Sequence, residues 1–207
     1  MNLPEKTVER LSEYRRTLLD CLNQGKSHIF SHELAALLHN TAVQVRRDMM
    51  LMGFTSMQRK GYAIKELIDA IGALIDTTEG LNVAVVGAGN LGRAITGYFR
   101  GKRSKLNIVA AFDIDADKIG RMIAGVKCYS IDEFPKLAGD FKISIAILTV
   151  PPEHARATAD FVAANGIRGI LNFTTAPLNM PPHVYLEEYD MITSLEKIAY
   201  FVKNHQG

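Results

Sequence analysis

Cysteine is scarce in this sequence, since Cys21 and Cys128 are the only two among 207 residues. Neither belongs to a CxxC motif or to a Cys/His spacing suited to zinc, so we expect no disulfide framework and no structural metal. Cys128 has no adjacent base in the sequence and is predicted to be a small core residue. A redox role for this protein would therefore have to use a cofactor.

The sequence also lacks a long apolar run and a strong excess of one charge. No stretch approaches the ~18 apolar residues of a transmembrane helix, and the charged, amphipathic N-terminal segment is unlike a signal peptide. We therefore expect a cytoplasmic protein without a membrane partner. The net charge is +2, but residues 1–62 carry nine Lys/Arg against six Asp/Glu, which makes this part the basic end.

Helical periods and turn residues organise the basic end of the chain. A helix is predicted over residues 4–23, followed by a short strand over 27–30 and a second helix that Ser31 caps and Asn40 stops. A third helix is predicted over 42–52, with a basic face that carries Arg46 and Arg47.

Thr41 and Gln44 fit a capping box at the start of this third helix, in which the Gln44 side chain reaches back to the cap amide. Gly53 ends the helix, and residues 54–64 are expected to form a hairpin with basic residues at its tip. This order of elements predicts a winged helix. A connecting helix over 64–75 and a polar linker over 76–80 follow it.

Beyond the linker, strands alternate with helices. Strands are predicted over 81–86, 107–112, 126–129, 143–150 and 167–173, with a further candidate over 184–189, and helices over 91–99, 132–137 and 153–164. This alternation predicts an α/β fold with a parallel, doubly wound sheet, which is a Rossmann domain.

A glycine pattern, Gly87-Ala-Gly89-Asn-Leu-Gly92, follows the first of these strands and opens a helix. In this context the glycines permit a tight turn, a close approach of a pyrophosphate and close packing of helix on strand, with the anion at the helix N-terminus. Asp113 ends the next strand, where a carboxylate accepts hydrogen bonds from the ribose of NAD(H) and repels the extra phosphate of NADP(H). The alternative is a purely structural turn beside a solvated acid.

Thr149-Val-Pro-Pro152 ends the fourth strand and faces the crevice where doubly wound sheets bind ligands. It is a candidate floor for the nicotinamide, or simply a helix start with proline in its first turn. His154 is interpreted as a surface residue rather than a catalytic acid, and little chain is left for a substrate domain. We therefore do not expect an enzyme.

Several segments together resemble the Rex family of redox-sensing transcriptional repressors over nearly the whole chain. They are Thr7–Arg16 (TVERLSEYRR), Val45–Asp48 (VRRD), Val85–Gly92 (VVGAGNLG), Ala111–Ile114 (AFDI), Ile147–Pro151 (ILTVP) and Gly169–Phe173 (GILNF). The resemblance implies a homodimer that binds palindromic operator DNA when NADH is scarce and leaves it when NADH binds. It also implies a domain-swapped C-terminal helix.

The resemblance assigns two sets of residues, and a third set, the candidate nucleotide site, follows mainly from the residues described above. DNA binding is assigned to Arg10, Ser31, Thr41, Gln44, Arg46, Arg47, Arg59 and Lys60, and a switching network to Arg16, Tyr98 and Asp190. The candidate site for NADH and NAD+ comprises Gly87, Ala88, Gly89, Asn90, Leu91, Gly92, Asp113, Ile114, Lys118, Thr149, Val150, Pro151 and Met191. Family members usually follow the Arg-Asp pair with Leu-Ser-Tyr-Phe-Gly, whereas this chain has Met49-Met-Leu-Met-Gly53.

The domains predicted are a winged-helix DNA-binding domain with its connecting helix over 1–76, a Rossmann domain over 81–189 and a dimerisation helix over 190–207. The last helix has an apolar stripe, which either packs on its own sheet or covers a partner subunit. Three rival functions stay open: a small NAD-dependent oxidoreductase, a module for coenzyme A or another nucleotide, and a divergent Rex-like protein with altered or lost DNA specificity.

Overall fold

The computed structural model describes residues 3–55, 60–77, 79–99 and 105–204. The chain divides into two compact units, Met1–Thr78 and Glu79–Gly207. No helix within these described ranges is long and apolar enough to cross a membrane.

The first unit contains four helices and a two-stranded antiparallel sheet within the described residues. The elements are α1 (Glu5–Asn23), β1 (His28–Ile29), α2 (Ser31–Leu37), α3 (Ala42–Leu51), β2 (Tyr62–Ala63) and α4 (Ile64–Ile75). Their apolar faces meet in one core that includes Leu11, Leu18, Leu34, Val45, Met49, Leu67 and Ile71. The winged-helix prediction is confirmed in its helices, and the bounds of α4 agree with the predicted connecting helix.

Two local predictions in this unit were wrong. Ser31 is the first residue of α2 rather than its cap, because Phe30 is the N-cap residue and its backbone N–H donates to the Glu33 carboxylate at 2.7 Å. In α3 the Thr41 hydroxyl accepts the Gln44 amide at 3.1 Å as predicted, but the Gln44 side chain does not close the capping box. It donates to Asp48 instead, at 3.0 Å.

The predicted hairpin over 54–64 also differs from the structure where it is described. Tyr62–Ala63 pairs with His28–Ile29, and Phe54 lies outside any strand, with its ring 6.1 Å from that of Tyr62. Residues 56–59, including Arg59 of the predicted DNA-binding set, lie outside the described residues. Gly53 ends α3 as predicted, with a positive φ of 68°.

The second unit is built on a seven-stranded sheet in the order β5-β6-β4-β3-β7-β8-β9. Its elements are β3 (Leu81–Val86), α5 (Asn90–Phe99), β4 (Leu106–Asp113), β5 (Met122–Ile123), β6 (Val126–Ser130), a 3₁₀ turn (Ile131–Glu133), α6 (Phe134–Asp140), β7 (Ile143–Leu148), α7 (Pro152–Ala164), β8 (Gly169–Asn172), β9 (Tyr185–Glu188) and α8 (Met191–Asn204). Six neighbouring strands are parallel, and the short β5 is antiparallel to β6. The predicted doubly wound sheet is thus confirmed, and β5 was not foreseen.

Alternation along β3 explains why the sheet is covered on both faces. Val83 and Val85 lie in one apolar cluster, whereas Ala84 and Val86 lie in another with Phe112 and Leu148. Successive side chains of a strand point to opposite faces, so a strand buried on both faces is continuously apolar. This burial fixes the carboxyl ends of β3, β4 and β7 next to one another at one edge of the sheet.

The C-terminal helix α8 does not pack on its own sheet. Every residue from Met191 to Asn204 is exposed, including Ile192, Leu195 and Phe201. The interpretation in which this helix covers its own subunit is therefore wrong for this structure.

Candidate functional site

The turn between β3 and α5 contains two glycines, Gly87 and Gly92, at positions where a side chain would clash with the backbone. Gly87 has a φ of 98°, and a Cβ there would lie 2.7 Å from the backbone carbonyl of Thr149. At Gly92 a Cβ would overlap the carbonyl oxygen of Gly87 and lie 2.8 Å from the Thr149 hydroxyl. The Thr149 hydroxyl in turn donates to the Gly87 carbonyl at 2.7 Å. Thr149 therefore buttresses the loop from the end of β7.

Gly89 serves a different purpose from its two neighbours. A Cβ at Gly89 would meet no atom within 4 Å, so the missing side chain leaves open space in front of the backbone and relieves no clash. Open space beside a glycine at the start of a helix is what the pyrophosphate of a dinucleotide requires. The loop thus fits the predicted group, with Asn90 and Leu91 in the first turn of α5.

Asp113 joins the glycine loop to the end of β4. Its carboxylate accepts the Ala88 N–H at 2.7 Å, the Asp115 N–H at 2.9 Å and the Lys118 ammonium at 3.1 Å. A carboxylate has about four acceptor positions, so about one remains for a ribose hydroxyl. Asp113 is therefore both a loop tether and a candidate ribose ligand, and only the second role was predicted.

Lys118 keeps its charge beside this carboxylate. Partial burial lowers the pKa of Lys118, but hydrogen bonds to Asp113 and Asp115 and their charges outweigh that effect and raise it above its ordinary value. Ile114, which precedes Asp115, is 77% exposed and offers an apolar surface at the same edge of the sheet. Lys118 and Ile114 therefore lie beside Asp113, the residue that the sequence predicts to bind the ribose.

At the end of β7, Val150 is half-buried and Pro151 is exposed as the N-cap residue of α7. Both interpretations of this segment are compatible with that position, since it starts a helix and lines the carboxyl edge of the sheet. His154 lies exposed in the first turn of α7.

A polar cluster that was not predicted from the sequence lies at the end of β8. Asn172 is fully buried, donates to the Ala176 carbonyl at 2.9 Å and accepts the Thr174 hydroxyl at 2.8 Å. Glu188 accepts the Leu178 amide at 3.1 Å and so holds the same loop from β9. The signal in the sequence was an asparagine at the end of a strand that is otherwise apolar.

In the first unit, α3 presents two arginines to solvent. Arg46 and Arg47 are both exposed, and Arg46 donates to the Ser31 hydroxyl at 3.2 Å across the turn between α2 and α3. Thr41 caps the same helix, and Lys60 lies exposed before β2. A capped helix with an exposed basic face, following a second helix after a short turn, has the form of a helix-turn-helix.

Asp48, on the opposite side of α3, is fully buried and organises a polar cluster that was not predicted from the sequence. Arg10 donates to both of its oxygens at 2.7 Å, and the Tyr14 hydroxyl donates at 2.8 Å. Burial alone raises the pKa of Asp48, but the hydrogen bonds from Arg10, Tyr14 and Gln44 outweigh it and leave the pKa below its ordinary value. Arg10 and Gln44, which were predicted to contact DNA, are thus held by this carboxylate.

The predicted switching residues lie in different units. Arg16 is exposed on α1, and Tyr98 is exposed near the end of α5 with its ring edge-on to Phe99 at 5.3 Å. Asp190 caps α8, because its carboxylate accepts the Ile192 and Thr193 amides at 2.9 and 3.1 Å. Met191 follows it and is 44% exposed.

An additional ion pair links α1 to the end of α4. One nitrogen of the Arg15 guanidinium donates to both Asp76 oxygens at 2.8 Å. The pair was not predicted, and it fixes the start of the linker to the first unit. Across the described residues, no group of three or more His, Cys, Asp or Glu side chains is placed to hold a metal ion.

These two sites define the class of protein: a helix-turn-helix unit with a basic face, followed by a Rossmann unit with a dinucleotide-type glycine loop. A family described as "Putative DNA-binding protein N-terminus" matches residues 2–49, and one described as "CoA binding domain" matches residues 78–176. The redox-sensing transcriptional repressor Rex of Anoxybacillus flavithermus is 36% identical over 203 residues, which cover 98% of this chain and 95% of that protein. Rex of Lactobacillus acidophilus is 34% identical and covers 100% of this chain and 98% of its own.

Solved structures give the same result. The Rex-family repressor RSP in complex with β-NAD+ and operator DNA has a TM-score of 0.91 at 30% identity and covers 100% of this chain and 95% of its own. RSP in complex with β-NADH has a TM-score of 0.86 at 30% identity and covers 100% and 97%. The chain belongs to the Rex family of redox-sensing transcriptional repressors, and the resemblance noted in its sequence is confirmed.

Proposed function

We propose that this protein is a cytoplasmic, homodimeric repressor that binds palindromic operator DNA and releases it when NADH occupies the Rossmann unit. The observation that carries the proposal is the presence in one chain of an exposed, arginine-bearing helix-turn-helix and a glycine loop open at Gly89. Membership of the Rex family and the RSP complexes with operator DNA, NAD+ and NADH support it.

The proposed DNA surface is the exposed face of α3 with its neighbours. Arg46 and Arg47 would contact guanine edges or phosphates, and Lys60, with Arg59, would contact a phosphate from the wing. Ser31 and Thr41 lie at the N-termini of α2 and α3, where backbone N–H groups favour phosphate. Arg10 and Gln44 would contribute to DNA binding from the positions in which their hydrogen bonds to Asp48 hold them.

The proposed nucleotide site is the carboxyl edge of β3, β4 and β7. Residues 87–92 would hold the pyrophosphate, and Asp113, Ile114 and Lys118 would surround the adenosine. Thr149, Val150 and Pro151 would line the nicotinamide end. The nicotinamide ring is charged in NAD+ and neutral in NADH, and an apolar lining disfavours burial of a charge, so these residues would favour NADH.

The proposed homodimer uses α8. Its apolar side chains are uncovered within the subunit, and an amphipathic helix of this kind requires an apolar partner, for which a second copy of the chain fits the family. In such a dimer Met191 of the partner subunit would complete the apolar lining. Residues 1–76, 81–189 and 190–207 are then the DNA-binding, nucleotide-binding and dimerisation parts.

The proposed switch is a change in the distance between two helix-turn-helix units. Such units read two half-sites only when about 34 Å or a multiple separates them, so a modest closure of the dimer abolishes binding. Arg16, Tyr98 and Asp190 would form the network that differs between the two arrangements. A coupling of about 1–3 kcal/mol, which one such network can supply, changes affinity about 5 to 150-fold.

Two rival functions are less well supported. Coenzyme A also carries a pyrophosphate that a glycine loop would hold, but its ribose bears a phosphate that the Asp113 carboxylate would repel. We propose that the protein is not an enzyme, since the exposed His154 is the only histidine that the sequence suggested near the crevice. Turnover of NADH with carbonyl substrates would contradict this.

Fluorescence anisotropy tests the proposal directly. The full chain is titrated onto a palindromic operator duplex and onto a scrambled duplex at fixed salt, and the titrations are repeated with NADH, NAD+ or coenzyme A. Preference for the palindrome and selective release by NADH are expected. Tight NADH binding without preference for the palindrome would contradict the repressor function and favour a divergent, NADH-sensing protein.

A further inference from the structure

The solvent-facing side of α3 is not purely basic. Val43, Arg46, Arg47 and Met50 occupy positions i, i+3, i+4 and i+7 of the helix and therefore share one face. Val43 is 51% exposed and Met50 74% exposed, whereas Val45 on the opposite side is fully buried. Two apolar side chains thus flank two guanidinium groups on the surface that would enter DNA.

The phosphate backbone and the base edges of DNA differ in how well they match a helix face that carries both arginine and apolar side chains. Phosphates offer charge and hydrogen-bond acceptors, which match arginine but not an apolar side chain. In the major groove, guanine presents two acceptors suited to arginine, and thymine presents a 5-methyl group that accepts apolar contact. Charge complementarity from Arg46 and Arg47 selects DNA as the occupant, and among the base edges of the major groove the thymine 5-methyl group is the apolar match for Val43 or Met50.

Position along the helix distinguishes Val43 from Met50. In a helix-turn-helix the N-terminal residues of the second helix contact base edges. Val43 is the second residue of α3, two positions after the Thr41 cap, whereas Met50 lies about 10 Å further along at about 1.5 Å per residue. Val43 is therefore the apolar side chain placed to reach a base.

We propose that Val43 is a specificity-determining residue that contacts the 5-methyl group of a thymine in each operator half-site, next to the bases or phosphates bound by Arg46 and Arg47. The inference rests on the proposed DNA-binding function. It adds to that function the identity of one base and the group by which that base is recognised.

Deoxyuridine substitution isolates this contact, because it removes the thymine methyl group and leaves base pairing intact. Each thymine of the palindromic duplex is replaced in turn, symmetrically in both half-sites, and anisotropy gives the affinity. One methyl contact contributes about 0.8 kcal/mol, or about fourfold in affinity, so loss in both half-sites weakens binding about 15-fold.

Three proteins are compared. The parent is expected to lose about 15-fold at one thymine position, and Val43→Ala is expected to lose no more than about twofold there. Alanine favours the helix, so this variant is expected to fold. Val8→Ala, a matched loss of an exposed valine on α1, is expected to keep the parent's sensitivity.

The outcomes separate the inference from the function on which it rests. Specific binding of the palindrome with no thymine sensitive to loss of its methyl group overturns the inference and leaves the repressor function standing. Undiminished sensitivity in Val43→Ala overturns it as well. A parent that does not distinguish the palindrome from the scrambled duplex overturns both.

Discussion

Replacement of Asp48 by alanine is expected to destabilise the N-terminal unit by about 3–5 kcal/mol, the usual loss when one partner of a buried ion pair is removed. The Asp48 side chain is fully buried and accepts hydrogen bonds from Arg10, Tyr14 and Gln44. Without it the Tyr14 hydroxyl loses its acceptor in the core. The Arg10 side chain is 22% exposed, so part of its charge regains water and the lower end of the range is expected.

Asp48→Asn keeps the shape and removes the charge, with an expected loss of about 1.5–3 kcal/mol. It also tests the pH dependence. Because the pKa of Asp48 is lower in the folded chain than its ordinary value, its stabilising contribution is complete above about pH 4 and is lost as the pH falls through the folded value. The parent is therefore expected to lose stability more steeply than Asp48→Asn below about pH 4.

Hydrogen exchange followed by mass spectrometry of the full chain measures both effects, because it reports α1 and α3 separately from the second unit. A loss of 3 kcal/mol corresponds to about 100-fold faster exchange of their core amides. Asp20→Asn, at an exposed position of α1, is the matched control. Less than tenfold acceleration in Asp48→Ala, or an unchanged acid slope in Asp48→Asn, would refute the reasoning.

Three further predictions concern the second unit. Gly89→Ala is expected to fold normally but to weaken NADH binding at least about tenfold, because its methyl group would occupy the open space in front of the loop. Gly92→Ala is expected to lower the melting temperature, because its methyl group would clash with the loop backbone. Equal changes in melting temperature and in NADH affinity for the two variants would contradict these different surroundings. Asp113→Asn is expected to reduce the ratio of NADH affinity to NADPH affinity about tenfold in fluorescence titrations, because it removes the charge that repels the extra phosphate. An unchanged affinity ratio would mean that Asp113 does not bind the ribose. Asp190→Asn retains the helix cap and is expected to bind NADH as the parent does, yet to need about 5 to 150-fold more NADH to release operator; parent-like release would exclude the carboxylate from the switch.

Periodicity predicted the elements that bury a continuous apolar surface. The bounds of α4 (Ile64–Ile75) and β3 (Leu81–Val86) agree with the sequence because each is apolar on the face or faces that pack. β5 is only two residues long and is held by a tight turn to β6, so no period marks it. The N-cap of α2 was predicted at Ser31, one residue too late. The helix begins at Ser31, and the N-cap is Phe30, whose backbone N–H donates to the Glu33 carboxylate.

The site was predictable where its chemistry is local and not where it depends on distant residues. Gly87, Gly89 and Gly92 lie within six residues, and the predicted strand before them and the predicted helix after them were enough to indicate a nucleotide loop. Arg10 and Asp48 are 38 residues apart, and only the packing of α1 against α3 brings them together. No role was therefore predicted for Asp48 beyond its place in the motif Val45–Asp48.

The same ion pair changes what Arg10 can contribute to DNA binding. Arg10 gives two hydrogen bonds to Asp48, whereas Arg47 is exposed on α3, so the two arginines are expected to differ when each is replaced by glutamine. Arg47→Gln is expected to leave stability unchanged. Where Arg47 binds one phosphate in each half-site, the variant is expected to reduce the magnitude of the slope of log affinity against log salt by about 2, or about 1 per subunit. Arg10→Gln is expected to weaken DNA binding only together with a loss of stability of the first unit. Equal salt slopes with equal stability in the two variants would contradict this expectation, because they would mean that Arg10 binds DNA directly and that its pair with Asp48 does not stabilise the first unit.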